Sequence, residues 1–274
     1  MAWTMHHGDC LEWMRSLPDK SVDHVITDPP YSEHVHKNAR SAAKKEPLYD
    51  GNGNHHPANA RRGISRGVDF GFSHATPELI DAVSFEVARL TRRWVGIFSD
   101  VESCHLWREA IKRAGLDHVR TAFWHRLAGT PQFSGDRPAP ACDVITLAHP
   151  KGRKRWNGGG KQGFYPVAIE QNIGGVARRF HPTAKPVDLM LALVADFTDP
   201  GETILDPFAG SGTTGVAALR LGRSFMGAEK DAGHYATACE RLAAEEGGST
   251  LAAARAGQLS LLADPSPRSG KVSP

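Results

Sequence analysis

Between residues 202 and 229 the chain reads ETILDPFAGSGTTGVAALRLGRSFMGAE, and this segment restricts the fold more than any other. An apolar run, TILDPF, ends in a loop of small residues, AGSG. A run with helical apolar spacing follows, and then a second apolar run, SFMGAE, closing on Glu229. Strand, glycine loop, helix and strand in that order make one compact βαβ unit. Glycines after the first strand allow a tight turn and let a ligand approach the backbone beside a helix N-terminus. An acid ending the second strand stands where a ribose-binding carboxylate belongs. The spacing differs from GxGxxG, which disfavours a nicotinamide or flavin dinucleotide. A purely structural tight turn is the alternative.

The rest of the chain carries the same alternation. In residues 9–31, CLEWMRSL has helical spacing and SVDHVITDPPY reads as a strand stopped by two prolines. In residues 76–148, PELIDAVSFEVARL and ESCHLWREAIKRAG read as helices, and RWVGIFSD, HVRTAFWHR and DVITLAH as strands. PVDLMLALVADF and HYATACERLAAEE add helices on either side of the βαβ unit. Such alternation predicts a doubly wound α/β fold, a mostly parallel sheet covered on both faces. Two basic stretches, about 32–73 and 129–180, break the pattern and read as inserts, and residues 247–274 read as a flexible tail.

Composition narrows the class. The 274 residues suit one large domain with inserts, here 1–246, and 33 Lys+Arg against 30 Asp+Glu permits a polyanionic partner without demanding one. Cys10, Cys104, Cys142 and Cys239 are scattered without a CxxC pair, which argues against a zinc knuckle or redox dithiol and for reduced thiols. The histidines at 6, 7, 34, 36, 55 and 56 lack cysteine partners or a repeating spacing, so no metal centre is read. The N-terminus has no signal-type apolar core, and the longest apolar stretch is too short to span a bilayer. The expected location is the cytoplasm.

Asp28-Pro29-Pro30-Tyr31 sits at the end of an apolar strand. Two prolines fix φ and keep the chain extended past the strand. Asp28 and the Pro29 carbonyl offer two acceptors, enough to hold both N–H bonds of a planar amino group and make its nitrogen more tetrahedral. Tyr31 offers a flat face for stacking a base. Taken alone, the tetrapeptide also reads as a rigid turn with Asp28 as a cap.

Together VITDPPYS, HPTAKPVDLM and LDPFAGSGTTGVAALRLGRSFMGAE resemble the DNA amino-methyltransferases of the beta subgroup, in which DPPY precedes the FxGxG motif. The resemblance implies a Rossmann-like fold, S-adenosylmethionine as cofactor and double-stranded DNA as partner, and it allows a homodimer. It implies methylation of adenine N6 through base flipping, with cytosine N4 as the alternative. RNA or protein amide methylation and a non-catalytic DNA-binding module are further alternatives, against which Asp28 and the intact glycine loop argue. It assigns Asp206, Phe208, Ala209, Gly210, Ser211, Gly212 and Thr213 to the cofactor loop, Glu229 to the ribose, and Asp28 to Tyr31 to the target base. It sets Thr183 and Lys185 near the methionine end of the cofactor, and Asp9 with Cys10 near its adenine. Asp9 also reads as a helix N-cap, with Glu12 completing a capping box. Within the basic stretches, Lys154, Arg155 and Trp156, with Arg178 and Arg179, suit contacts to DNA phosphates and base edges; a solvated loop is the alternative.

Overall fold

A computed structural model describes residues 2–31, 75–127, 137–169 and 184–251. The chain begins with β1 (Trp3–His7), α1 (Cys10–Ser16) and β2 (His24–Thr27). Helix α2 (Pro77–Leu90), β3 (Val95–Ser99), α3 (Cys104–Arg113) and β4 (Asp117–Leu127) follow. Then come β5 (Cys142–His149), β6 (Phe164–Ala168) and α4 (Val187–Phe197). The last block is β7 (Thr203–Asp206), α5 (Thr213–Arg220), β8 (Ser224–Glu229) and α6 (Ala232–Glu246).

The eight strands form one sheet in the order β1-β8-β7-β2-β3-β5-β4-β6. Strand β5 alone runs against its neighbours; every other pairing is parallel. The described part of residues 129–180 therefore contributes β5 and β6 to the sheet itself. Alternate residues of each strand serve opposite faces. Ile26, Phe98, Ile145, Ile204 and Phe225 pack toward α4, α5 and α6, whereas Val25, Val95, Ile97 and Leu205 pack with Met14, Ile80, Val87 and Trp107 of α1, α2 and α3.

Helix α2 shows how sequence sets these elements. Thr76 accepts the Leu79 N–H at 3.3 Å, Pro77 fills the first turn, and Ile80, Val83, Val87 and Leu90 recur on one buried face. Burying such a side chain contributes about 1.5–3 kcal/mol, so that face outweighs any cap.

The sheet's topology fixes where a ligand can sit. From β2 the chain crosses through α2 to β3 on one side; from β7 it crosses through α5 to β8 on the other. Right-handed crossovers in opposite directions put α2 and α5 on opposite faces, leaving a crevice at the carboxyl ends of β2 and β7. Among the described residues no helix is long and apolar enough to cross a membrane.

Candidate active site

The two motifs meet at that crevice. Thr27 ends β2 and Asp206 ends β7, and Thr27 Oγ1 donates to Asp206 Oδ1 at 2.7 Å. Thr214 Oγ1 donates to Oδ2 at 2.6 Å and the Phe208 N–H to Oδ1 at 3.1 Å. Burial pushes the Asp206 carboxyl up to about 6, while these donors favour its charged form. Asp206 thus ties the two strand ends to the first turn of α5.

The glycine loop follows. Gly210 and Gly212 take positive φ, +53° and +81°. They do so for different reasons. A Cβ at Gly212 would lie 3.1 Å from the Ala238 Cβ on α6, whereas one at Gly210 would meet nothing within 4 Å. The Gly210 N–H donates to Glu229 Oε2 at 2.9 Å, and Glu229 Oε1 accepts the Asp231 N–H at 2.8 Å. Ala209, Ser211 and Thr213 are buried. Arg241, a residue that sequence reading missed, reaches from α6 to donate to Ser211 O at 2.7 Å and to the Ser211 and Thr213 hydroxyls at 3.1 Å. It looks like one of many charges on an amphipathic helix, and only the tertiary fold buries it.

One strand beyond β8, β1 ends beside Glu229, whose carbonyl accepts the Gly8 N–H at 3.0 Å. Asp9 caps α1, its Oδ1 accepting from Leu11 N at 2.9 Å and Glu12 N at 3.1 Å. Cys10 is buried, and burial followed by the nearby Asp9 charge pushes its thiol up to about 12, so it stays protonated.

On the β2 side, Pro29 is buried and the Tyr31 carbonyl accepts the Ala75 N–H at 3.1 Å. Asp28 Oδ2 accepts from Lys185 Nζ at 2.5 Å. Asp28 Oδ1 and the Tyr31 hydroxyl are buried and meet no hydrogen-bond partner of good geometry among the described residues, though the hydroxyl faces the carboxylates of Asp28 and Asp143. Burial raises the Asp28 carboxyl above its ordinary value, with the Lys185 charge pulling the other way. Burial and the charges of Asp28 and Asp143 hold Tyr31 as a neutral phenol. Sequence reading did not single out Asp143, Arg126, Phe98 or Trp124. Asp143, the second residue of β5, pairs in register with Trp124 and lies 3.1 Å from Arg126 Nη2. An orphaned buried acceptor costs about 1–3 kcal/mol, so the carboxylate of Asp28 is set for a ligand that brings an N–H or O–H.

Other candidates stand elsewhere. Lys154 bonds Asp117 at 2.9 Å, Arg155 lies 3.3 Å from Asp199, and Trp156 packs on Phe197 at 4.8 Å. Asp117 pairs with His149 at the end of β4 remote from Trp124 and Asp143, so this cluster lies at the amino edge of the parallel strands, away from Asp28. Thr183, Arg178 and Arg179 lie outside the described residues.

Comparisons with known proteins agree with this geometry. The DNA methylase family model for N6 and N4 enzymes matches residues 97–240, more than half of the chain. "Putative methylase YubD" of Escherichia coli (strain K12) is 45% identical over 240 residues, covering 86% of this chain and 88% of YubD. The structure of the M1.HpyAVI–SAM complex aligns with a TM-score of 0.61 at 22% identity, over 88% of this chain and 98% of that one. PvuII DNA methyltransferase, cytosine-N4-specific, aligns with a TM-score of 0.60 at 16% identity, over 87% of each chain. The two structures establish the shared Rossmann-like methyltransferase fold. The family match and the identity to YubD go further: this chain belongs to the N6/N4 DNA methylase family.

Proposed function

We propose that the chain is an S-adenosylmethionine-dependent methyltransferase acting on the N6 amino group of adenine in double-stranded DNA. The observation that carries this reading is the buried, unpartnered Asp28 Oδ1 beside Tyr31, one bonded residue away from the glycine loop through Thr27 and Asp206. The cofactor fits the loop, because Gly210 turns an open backbone outward where a Cβ would meet nothing, and Glu229 stands at the next strand end. In this reading the backbone from Phe208 to Thr213 cradles the cofactor and Glu229 holds its ribose. Asp9 and Cys10 border the adenine end. Bound S-adenosylmethionine supplies a methyl group on a positively charged sulfur, an electrophile that needs no further activation.

The chain's own residues prepare the nucleophile. An exocyclic amine is a weak nucleophile because its lone pair is delocalised into the ring. A paired base cannot present that amine, so it leaves the stack and enters the pocket. Tyr31 stacks it, and its phenol stays neutral. Asp28 Oδ1 accepts one amino N–H and the Pro29 carbonyl the other, which restores lone-pair density on nitrogen. The nitrogen gains a carbon and must lose a proton, and Asp28 receives it. Burial makes this carboxylate more basic than an exposed one, which suits it to the task. Aspartate at the head of the motif favours adenine over cytosine in the enzymes this chain resembles.

The test is incubation of unmethylated duplex DNA with methyl-labelled cofactor, then digestion and nucleoside mass spectrometry. The reading expects N6-methyldeoxyadenosine, lost with Asp28→Ala while cofactor binding remains. N4-methyldeoxycytidine would reassign the base, and a mark that survives Asp28→Ala would remove Asp28 from the chemistry.

A further inference from the structure

Lys185 holds the least expected position in the site. Resemblance places it near the methionine end of the cofactor, yet its Nζ lies 2.5 Å from Asp28 Oδ2. The same ammonium sits 5.0 Å from the Tyr31 ring centroid, 5.2 Å from Phe98 and 5.9 Å from Trp124. Lysine is seldom buried without a purpose, and this residue is only 9% exposed. Three rings within about 6 Å form a box that attracts a cation through its ring faces. A nitrogen bearing N–H bonds, set among three aromatic rings and donating to Asp28, shares its chemistry with the amine that the pocket must receive.

We propose that Lys185 is a positioning residue for Asp28: its ammonium holds Oδ2 so that Oδ1 stays open for the target amine, fills the aromatic box that the base must enter, and withdraws when the base enters. The inference rests on Asp28 being the acceptor for that amine. Its consequence is a gain in basicity timed to base entry. While Lys185 is in place, its charge counters the effect of burial on the carboxyl. Once it is displaced, Asp28 becomes a stronger proton acceptor, at the moment the amine has a proton to give up. The other charged groups around Asp28 do not substitute for it. Asp143 from β5 and Asp206 from β7 are acids that work against ionisation. Tyr31 is neutral. Arg126 from β4 is engaged with Asp143, and Asp100, after β3, accepts the Ser103 N–H.

Lys185→Met keeps the length and apolar stem and removes the charge; Lys185→Arg keeps the charge. The titration of Asp28 is followed by carbon-13 NMR of aspartate-labelled full-length protein, with Asp28→Asn assigning the signal. In Lys185→Met the Asp28 midpoint moves up by about 1–3 pH units, and Lys185→Arg restores most of it. The acid limb of the kcat/KM–pH profile for methyl transfer, which reports the free enzyme with Lys185 in place, moves in the same direction. Cofactor affinity changes by less than about threefold. An Asp28 titration identical in wild type and Lys185→Met would overturn the proposal. So would a tenfold or larger loss of cofactor affinity in Lys185→Met with the titration unmoved, since that pattern belongs to a cofactor ligand. If Lys185→Met does not fold, Lys185→Gln, which also removes the charge, decides: the Asp28 midpoint moves up as in Lys185→Met, whereas an uninvolved residue leaves it in place. The titration needs no turnover, so a protein that left DNA unmarked would refute DNA methylation without obscuring this result.

Discussion

Gly210 and Gly212 lie two residues apart in one loop, and replacing each with alanine separates a ligand role from a packing role. Both sit at positive φ, where an L side chain costs about 1–2 kcal/mol, offset by about 0.4–1 kcal/mol from the stiffer unfolded chain. For Gly210 nothing else changes, because its new Cβ meets no atom within 4 Å. The net cost is about 1 kcal/mol, which in a chain of this size lowers the melting temperature by about 2–4 °C. For Gly212 the new Cβ lies 3.1 Å from Ala238 Cβ and 3.2 Å from its Cα. That neighbour is helix backbone and cannot swing aside, so overpacking adds about 1–3 kcal/mol. The apo Gly212→Ala protein therefore melts about 4–16 °C below wild type. Affinity shows the opposite order. A methyl group at Gly210 enters the space assigned to the cofactor and weakens binding by at least about tenfold, equivalent to 1.4 kcal/mol. Differential scanning calorimetry without cofactor, paired with isothermal titration of S-adenosylmethionine, reads both quantities. Equal melting temperatures for the two variants would refute the packing account, and wild-type affinity in Gly210→Ala would refute the cradle.

Arg241→Met leaves the Ser211 and Thr213 hydroxyls and a buried carbonyl without their donor; urea denaturation should show a loss of about 1–3 kcal/mol, with weaker cofactor binding. Burial holds the Asp206 carboxyl at about 6 in the folded state, above its ordinary value. The folded state holds that proton more tightly than the unfolded state, so the stability of wild type relative to Asp206→Asn rises as pH falls through 6 toward 4 and flattens below; melting curves across that window check the sign, and a fall would contradict it. Lys154→Gln with Arg155→Gln removes two partly exposed ion pairs far from the crevice; the melting temperature should shift by less than about 4 °C and the KM for DNA should not change. A raised KM would place DNA at that edge.

What was legible in the sequence was local. DPPY and the glycine loop each join a strand end to the turn after it, and the residues that define them are contiguous. Helix α2 was legible over all of Pro77–Leu90 because cap, proline and periodicity coincide. What was not legible depends on strand direction and long-range pairing. The KGRKRW cluster, read as suited to DNA, follows β5, and reversal of that strand delivers it to the amino edge of the sheet rather than beside Asp28. The same reversal brings Asp143, at the start of β5, to the carboxyl edge beside Tyr31. Strand β6 escaped notice because FYPVA is short and carries Pro166, which an edge strand tolerates and a central one does not. Strand β1, WTMHH, lacks the apolar run that marks β7 and β8. The aromatic box has members on β3 and β4 and in the DPPY turn, so no spacing along the chain announces it.

The account depends on cofactor and target base sharing the crevice between the ends of β7 and β2. A crystal structure of the full chain with duplex DNA and a non-transferable analogue, carrying an amine in place of the sulfonium, tests this directly. The account predicts the analogue lying along Gly210 with its ribose on Glu229, and an extruded adenine on Tyr31 with its amino group on Asp28 and Lys185 moved away. An analogue bound at another edge of the sheet, or a base held where Asp28 cannot reach it, would contradict the account.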